Sequence, residues 1–442
     1  MQNRTLNLRH EFFYWFGAVI VGITAVAFAK TANLATRLCS FTTQSHPWLM
    51  LLITPSGLVF SLWVTRTWFR GAQGSGIPQA IACIRLYDME AVNKILSLRI
   101  ALAKIFLTCF GLLIGASIGR EGPTVQIGAS IMHAVGHFAK ITNTSYERAL
   151  IKAGAAAGVA AAFNTPLAGI VFGIEELSRS FKQHTSGVML TCVIISGITA
   201  ISLVGNYTYF GHVHSIVLPA VGWFAVLVCG VFGGLAGGTF SLLLIRFSRG
   251  LPGKIGAFIT HHPLCFAAFC GLALSIIGLL SGGAVYGTGY RQARDIIMET
   301  GSYDSSFFIL KLLATFISYC SGIPGGLFAP SLSIGAGMGA WLEHFLPHTP
   351  PEAVVLLGTV AYFSAVTQSP LTATIIVMEM CDNQEITLAI MASAFLAFGV
   401  SRLLCNHALY GALALIFLRS IDPNKSIASH RATIILSPAI NH

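Results

Sequence analysis

GREGPTVQIGA, residues 119–129, places an arginine and a glutamate inside an apolar, glycine-rich run. Charge at membrane depth is expensive: an Arg, Lys or Asp at the centre of a spanning helix costs roughly 2.5–3.5 kcal/mol on insertion scales, so Glu121 needs a reason to be there. The neighbouring residues supply one. Gly119 and Gly122 leave the backbone bare, and Pro123 suits the first turn of a helix whose free N–H groups point back toward Glu121. A helix N-terminus carries about half a positive charge and draws anions to its amides, so Glu121 reads as a tethered anion at an anion's seat.

The rest of the chain fits a membrane setting. Of 442 residues, 55% are hydrophobic and 10% charged, and the mean hydropathy is +0.75, which excludes an ordinary soluble globule. Charge-free runs recur at Phe12–Ala29, Trp48–Thr65, Ala153–Ile174, Ser215–Ile245, Pro263–Tyr290, Leu312–Leu342 and Ala353–Met378. Since about 20 apolar residues span a bilayer, most are long enough, and those that are too long carry Gly and Pro. Such interruptions predict discontinuous or re-entrant helices, which survive only where the freed backbone is buried or lines a cavity.

The formal charge of +10 does not point to nucleic acid, because the basic residues are scattered between apolar runs and at the ends. Arg4 and Arg9 before the first run, and Arg419, Lys425 and Arg431 after the last, predict cytoplasmic termini by the positive-inside bias. The first run is long and lacks a clear cleavage site, so it reads as a span and not as a secretory signal. The tail after Arg419 is too short for a further domain. The ten cysteines form no C-x-x-C pair, and Cys109, Cys192 and Cys229 read as small buried hydrophobes. His133 and His137 share a helix face, but Ala134 stands where a zincin would carry Glu, and no metal is expected.

A second glycine-framed helix start is GSGIP, formed by Gly74, Ser75, Gly76, Ile77 and Pro78, where Ser75 adds a neutral hydroxyl donor. About 200 residues further on the pattern returns. Gly119–Ala129 aligns without gaps to 326–336, read GLFAPSLSIGA, matching Pro123 to Pro330, Gly128 to Gly335 and Glu121 to Phe328. In a second block Gly154 matches Gly358, Pro166 matches Pro370, Leu167 matches Leu371 and Glu175 matches Glu379. Two ordered blocks at offsets of 207 and 204 residues make this a duplicated all-α membrane fold, with a first repeat over about 12–205 and a second over about 215–418. Three helix starts, GSGIP, GREGP and GLFAP, offer N–H groups and hydroxyls but no cage of acceptors, so the substrate reads as an anion bound between repeats. Glu175 and Glu379 occupy equivalent helix ends, which predicts a shared structural role such as pairing with Lys or Arg. Glu176 faces Met380 in the other repeat, and that asymmetry favours a functional role.

Taken together, GSGIP at 74–78, GREGPTVQIG at 119–128, GAAAG at 154–158, NTPLAGIVFGIEE at 164–176, GLFAP at 326–330 and the late Tyr410 resemble the CLC family of chloride channels and proton-coupled chloride exchangers, and most closely its bacterial exchangers. The resemblance implies a polytopic fold of two inverted-topology helical repeats with tilted, broken and re-entrant helices, a single transmembrane domain over 1–442 with no CBS-type regulatory domain, and a homodimer in the lipid bilayer with one pore per subunit. It implies a selectivity filter of three stretches: Gly74, Ser75, Gly76, Ile77 and Pro78; Gly119, Arg120, Glu121, Gly122 and Pro123; Gly326, Leu327, Phe328, Ala329 and Pro330. Ser75 and Tyr410 hydroxyls and the Leu327 and Phe328 amides would hold chloride or another small anion. Glu121 would be the gate and external proton carrier, Glu176 the internal proton acceptor, and Arg120 and Lys104 would add positive potential. No cofactor is implied. The departures are the NHALYGAL setting of Tyr410, without a Lys-Pro lead-in, and Ile323 in SGIPGG, read as packing; the motif pattern of fluoride-selective relatives is absent. A passive chloride channel of the same fold stays open, although such channels typically lack the internal glutamate. An intramembrane serine hydrolase would need a histidine beside Ser75 at membrane depth, and a scaffold would leave the anion-type helix starts unexplained.

Overall fold

The computed structural model describes residues 2–86, 88–141, 143–178, 186–205, 208–211, 222–298, 300, 304–382 and 385–421. Lys425 and Arg431, on which the reading of the termini partly rests, lie outside the described residues. Within them every regular element is a helix, and the only strand-like pairings are two isolated bridges. Among the described residues, seven helices or helix pairs are long and apolar enough to cross a bilayer, including Glu11–Ser45, Pro47–Trp68, Gly222–Arg249 and Pro263–Leu280. Large apolar side chains such as Trp48, Phe106 and Leu403 lie exposed on such spans. Hydrocarbon is the solvent that accepts them.

The overlong runs are broken as Gly and Pro predict. Leu312–Leu342 divides into Phe307–Cys320 and Phe328–Glu343, and Ala353–Met378 into Pro351–Thr367 and Pro370–Cys381. Ala153–Ile174 divides the same way, Thr144–Phe163 ending at a left-handed Asn164 before Pro166 opens the next helix. Three further spans lie outside the runs expected from the sequence: Met89–Leu113, Gly187–Val204 and Thr387–Leu404. The first contains Glu90, Lys94, Arg99 and Lys104, and the last Arg402, so uncharged length was too strict a criterion for these two; Gly187–Val204 carries no charge and satisfies it.

The duplication is visible in packing. Gly128 faces Gly154 so closely that a Cβ on either would fall 2.2 Å from the other's carbonyl oxygen. Their matches do the same, Gly358 standing where a Cβ would reach the Gly335 carbonyl oxygen at 3.0 Å. Small residues thus seat Glu121–Phe138 on Thr144–Phe163 and Phe328–Glu343 on Pro351–Thr367, bringing both broken helix starts to mid-protein.

Candidate anion site at the junction of helix starts

The three motif stretches converge. Gly119 donates its N–H to the carbonyl of Gly326 and accepts from the N–H of Gly326, both at 2.7 Å, while Gly325 donates to the carbonyl of Gly74 at 3.1 Å. Helices then leave this seam at Ile77, Glu121 and Phe328, with Pro78 in the first turn of one and Pro123 and Pro330 at matching third positions of the others. Their first N–H groups have no intrahelical partner. Gly74 and Gly76 need left-handed backbone (φ 63° and 101°), which glycine adopts without strain. Gly122 lies at the crossing: a Cβ there would fall 2.4 Å from Ser75 Oγ and 3.2 Å from the Gly326 Cα.

Side chains complete the setting. Ser75 and Tyr410 are fully buried with their hydroxyls turned toward each other, and neither makes a hydrogen bond to a third group among the described residues. Glu121, 1% exposed, turns its carboxylate toward its own amide and that of Ala329, and its Oε1 accepts a hydrogen bond from the Tyr209 hydroxyl at 3.3 Å. Phe328 contacts Phe163, Phe172, Phe363 and Tyr410, with centroids 4.9–6.0 Å apart, an apolar cluster beside the helix starts. Glu176 is also buried, and its Oε2 accepts from Ser369 Oγ at 2.6 Å. It lies in a wider-wound turn, Gly173–Ser178, of the sort that recurs at functional sites. Tyr410 lies within electrostatic reach of both Glu121 and Glu176.

The basic residues serve the backbone first. Lys104 Nζ donates to the carbonyls of Ala72, Gln73 and Gly74 at 2.7–3.2 Å, holding the approach to Ser75. Arg120 donates to Ala29 O and Asn33 Oδ1 at 2.8 and 2.7 Å, with its Nε 3.8 Å from Glu121 Oε1. A cavity of about 1390 Å³ opens onto Gly74, and Arg66, Arg70, Lys94 and Arg99 on its wall outnumber Asp88 and Glu90. Such a mouth concentrates anions.

Sequence reasoning missed a fourth helix start. Gly287-Thr288-Gly289-Tyr290 repeats Gly74-Ser75-Gly76-Ile77 with the same left-handed glycines (φ 71° and 76°), and Lys311, 207 residues after Lys104, donates to the carbonyls of Val285 and Gly287 at 2.7 and 2.9 Å. The recurring G-x-G and the shared lysine offset were the available signals; the missing proline hid them. Tyr290 packs on Tyr209, ring centroids 4.4 Å apart, so this start braces the partner of Glu121. Nothing in the sequence singles out Tyr209.

Residues 57–402 match the family model described as voltage gated chloride channel. Among curated relatives, the H(+)/Cl(-) exchange transporter ClcA of Yersinia pestis is 31% identical over 394 residues, covering 84% of this chain and 77% of that protein. The protein of the same name from Vibrio vulnificus (strain YJ016) is 28% identical over 387 residues, covering 83% of this chain and 79% of its own. Of solved structures, a slow cyanobacterial Cl-/H+ antiporter superposes with a TM-score of 0.78 at 25% identity, covering 93% of this chain and 98% of that one. A CLC-type fluoride/proton antiporter gives 0.78 at 23% identity, covering 91% and 97%, and shows likeness of fold. With its broken, duplicated helices and a family match across most of its length, this multi-pass membrane protein belongs to the voltage gated chloride channel family, the CLC family.

Proposed function

We infer that this protein is a secondary active transporter exchanging chloride for protons in opposite directions across the membrane. The observation that carries the reading is a buried carboxylate, Glu121, at the junction of helix N-termini, with the buried Ser75 and Tyr410 hydroxyls bonded to no third group among the described residues. The exchange activity of the named ClcA relatives supports it.

Mutual exclusion supplies the coupling. An ionised Glu121 and a chloride ion repel one another and compete for the same N–H groups, so an arriving anion favours protonation or departure of the carboxylate. Once neutral, the side chain gives up the seat, and the anion takes hydrogen bonds from Ser75, Tyr410 and the amides of Leu327 and Phe328. The proton travels the other way, between Glu121 and Glu176, past the aromatic cluster around Phe328; a short water chain is the carrier that such apolar surroundings allow. Lys104 and Arg120 shape the backbone of the path and add positive potential. No enzymatic step and no cofactor enter this cycle.

The same reading takes 1–442 as one transmembrane domain of two inverted repeats, about 12–205 and 215–418. It places a homodimer in the bacterial inner membrane with cytoplasmic termini. The test is proton flux in liposomes under an imposed chloride gradient, with wild type beside Glu121→Ala and Glu176→Ala. Uphill proton movement in wild type, and chloride flux without protons in both variants, is the expected result. Chloride flux that never drives protons would make the protein a passive channel and overturn the exchange reading; no anion flux at all would overturn both.

A further inference from the structure

A second cluster of ionisable side chains lies away from the anion site. His133 and His137, one turn apart near the end of the Glu121–Phe138 helix, meet Glu147 in the first turn of Thr144–Phe163. Twelve residues of helix, about 18 Å at 1.5 Å per residue, separate His133 from Glu121. Glu147 Oε1 lies 3.1 Å from His133 Nδ1 and 3.7 Å from His137 Nε2, and one donor atom from each of the three residues falls within 4.8 Å of the others. Asn93, on the Met89–Ile95 helix, brings its side-chain oxygen 2.8 Å from the Nε2 atoms of both histidines.

These contacts leave one charge unsettled. The Asn93 oxygen can only accept, so each imidazole facing it carries its proton on Nε2. Neutral His133 then has a bare lone pair on Nδ1, and that atom is buried without a hydrogen-bond partner, facing a carboxylate oxygen at 3.1 Å. Two acceptors aimed at one another in a water-poor pocket call for something positive between them. A proton on His133 is one answer. The geometry admits another: ligand atoms about 2.0–2.2 Å from a tetrahedral zinc ion lie about 3.3–3.6 Å from one another, the two spacings to the carboxylate fall on either side of that range, and all three donor atoms lie within 4.8 Å.

We propose that His133 Nδ1, His137 Nε2 and Glu147 Oε1 form a binding site for a divalent transition-metal ion of the zinc class, with Asn93 orienting His133. Two imidazoles and one carboxylate suit zinc and its neighbours and disfavour magnesium or calcium. His133 Nε2–H donating to the Asn93 carbonyl is the outer-sphere bond that fixes a ligating imidazole. On binding, neutral His137 takes its proton on Nδ1 instead of Nε2 and turns the freed Nε2 from Asn93 to the ion. His137, with 56% of its side chain exposed, is the route of entry, and water completes the coordination. The absence of Glu from position 134 counted against a metal in the sequence; the third ligand instead comes from a separate helix, ten residues after His137. Because Asn93 also lines the cavity that leads to Gly74, a bound ion would tie the vestibule wall to two core helices. The site stands independently of the exchange reading.

The test uses the purified full-length protein, stripped with chelator, with zinc chloride titrated calorimetrically and bound zinc counted by elemental analysis. Wild type should bind one zinc per chain, with affinity falling at least tenfold in His137→Ala and in Glu147→Gln and about tenfold in Asn93→Ala. Zinc should also raise the Tm of wild type and not that of His137→Ala. His262→Ala, at a histidine that is not one of the three ligands, should bind as wild type does. No saturable zinc binding by wild type, or wild-type affinity in both His137→Ala and Glu147→Gln, would overturn the proposal. If His137→Ala does not fold, Glu147→Gln decides it.

Discussion

Glu175 and Glu379 cap each other's partner helices. Glu175 accepts from the N–H groups of Leu371 and Thr372 at 3.2 and 2.7 Å and from the Thr372 hydroxyl at 2.7 Å; Glu379 accepts from the N–H groups of Leu167 and Ala168 at 3.1 and 2.7 Å. The two glutamates are matched positions of the duplication, and each reaches across to the Pro-started helix of the other half. The sequence suggested Lys or Arg as partner for this pair. The first-turn N–H groups of Leu371 and Leu167 do that work instead, since a helix N-terminus supplies positive charge without a basic side chain.

Replacing either carboxylate with an amide should therefore weaken the clasp between halves. Glu175→Gln and Glu379→Gln should each cost about 1–3 kcal/mol, as expected for charge-assisted hydrogen bonds. Thermal unfolding in detergent checks this, and a Tm equal to wild type in both variants would count against the clasp.

Gly122→Ala should damage the proposed anion site by forcing apart the helix starts that meet there. Its new methyl would meet Ser75 Oγ at 2.4 Å and Ser75 O at 2.8 Å, displacing the hydroxyl from the seat. Chloride binding, measured by calorimetry, should weaken at least tenfold; an unchanged affinity would remove Ser75 from the proposed ligands.

Tyr209→Phe should act oppositely. The lost hydroxyl holds Glu121 Oε1 at 3.3 Å, a long bond at the weak end of those made to charged groups. With its carboxylate less firmly seated, the variant should bind chloride about three- to tenfold more tightly at a fixed pH. Weaker binding would show that Tyr209 supports the site and does not compete through Glu121.

Lys104→Met and Lys311→Met offer a matched comparison. Each strips a buried ammonium from backbone carbonyls that then lack a donor, at a cost of about 1–3 kcal/mol per group. Both should lower the Tm. Only Lys104→Met, which frees the carbonyls leading into Ser75, should also weaken chloride binding, and equal effects on binding would contradict that division.

The legible part of this protein was what lies contiguous in sequence. GREGP and GLFAP announce glycine-framed helix starts, and their common offset revealed the duplication before any contact was known. The illegible part was convergence. Tyr209 follows a span as an unremarked aromatic, yet it reaches Glu121 across 88 residues, and Asn93, His133 and Glu147 meet from three helices. The fourth helix start escaped because it lacks the proline of the other three and because its spacing differs between halves: Lys311 follows Lys104 by 207 residues, whereas Gly287 follows Gly74 by 213. Lys104 and Arg120 carried a charge signal whose structural use, holding carbonyls, becomes visible only when the chain turns back on them.

The double hydrogen bond between Gly119 and Gly326 makes matched positions of the two repeats share one backbone seam, so neither motif can slide along its neighbour without breaking bonds that the other also needs. A substitution that shifts the backbone at Gly326 should therefore be felt at Gly119, two residues before Glu121, and the same holds in reverse for Phe328.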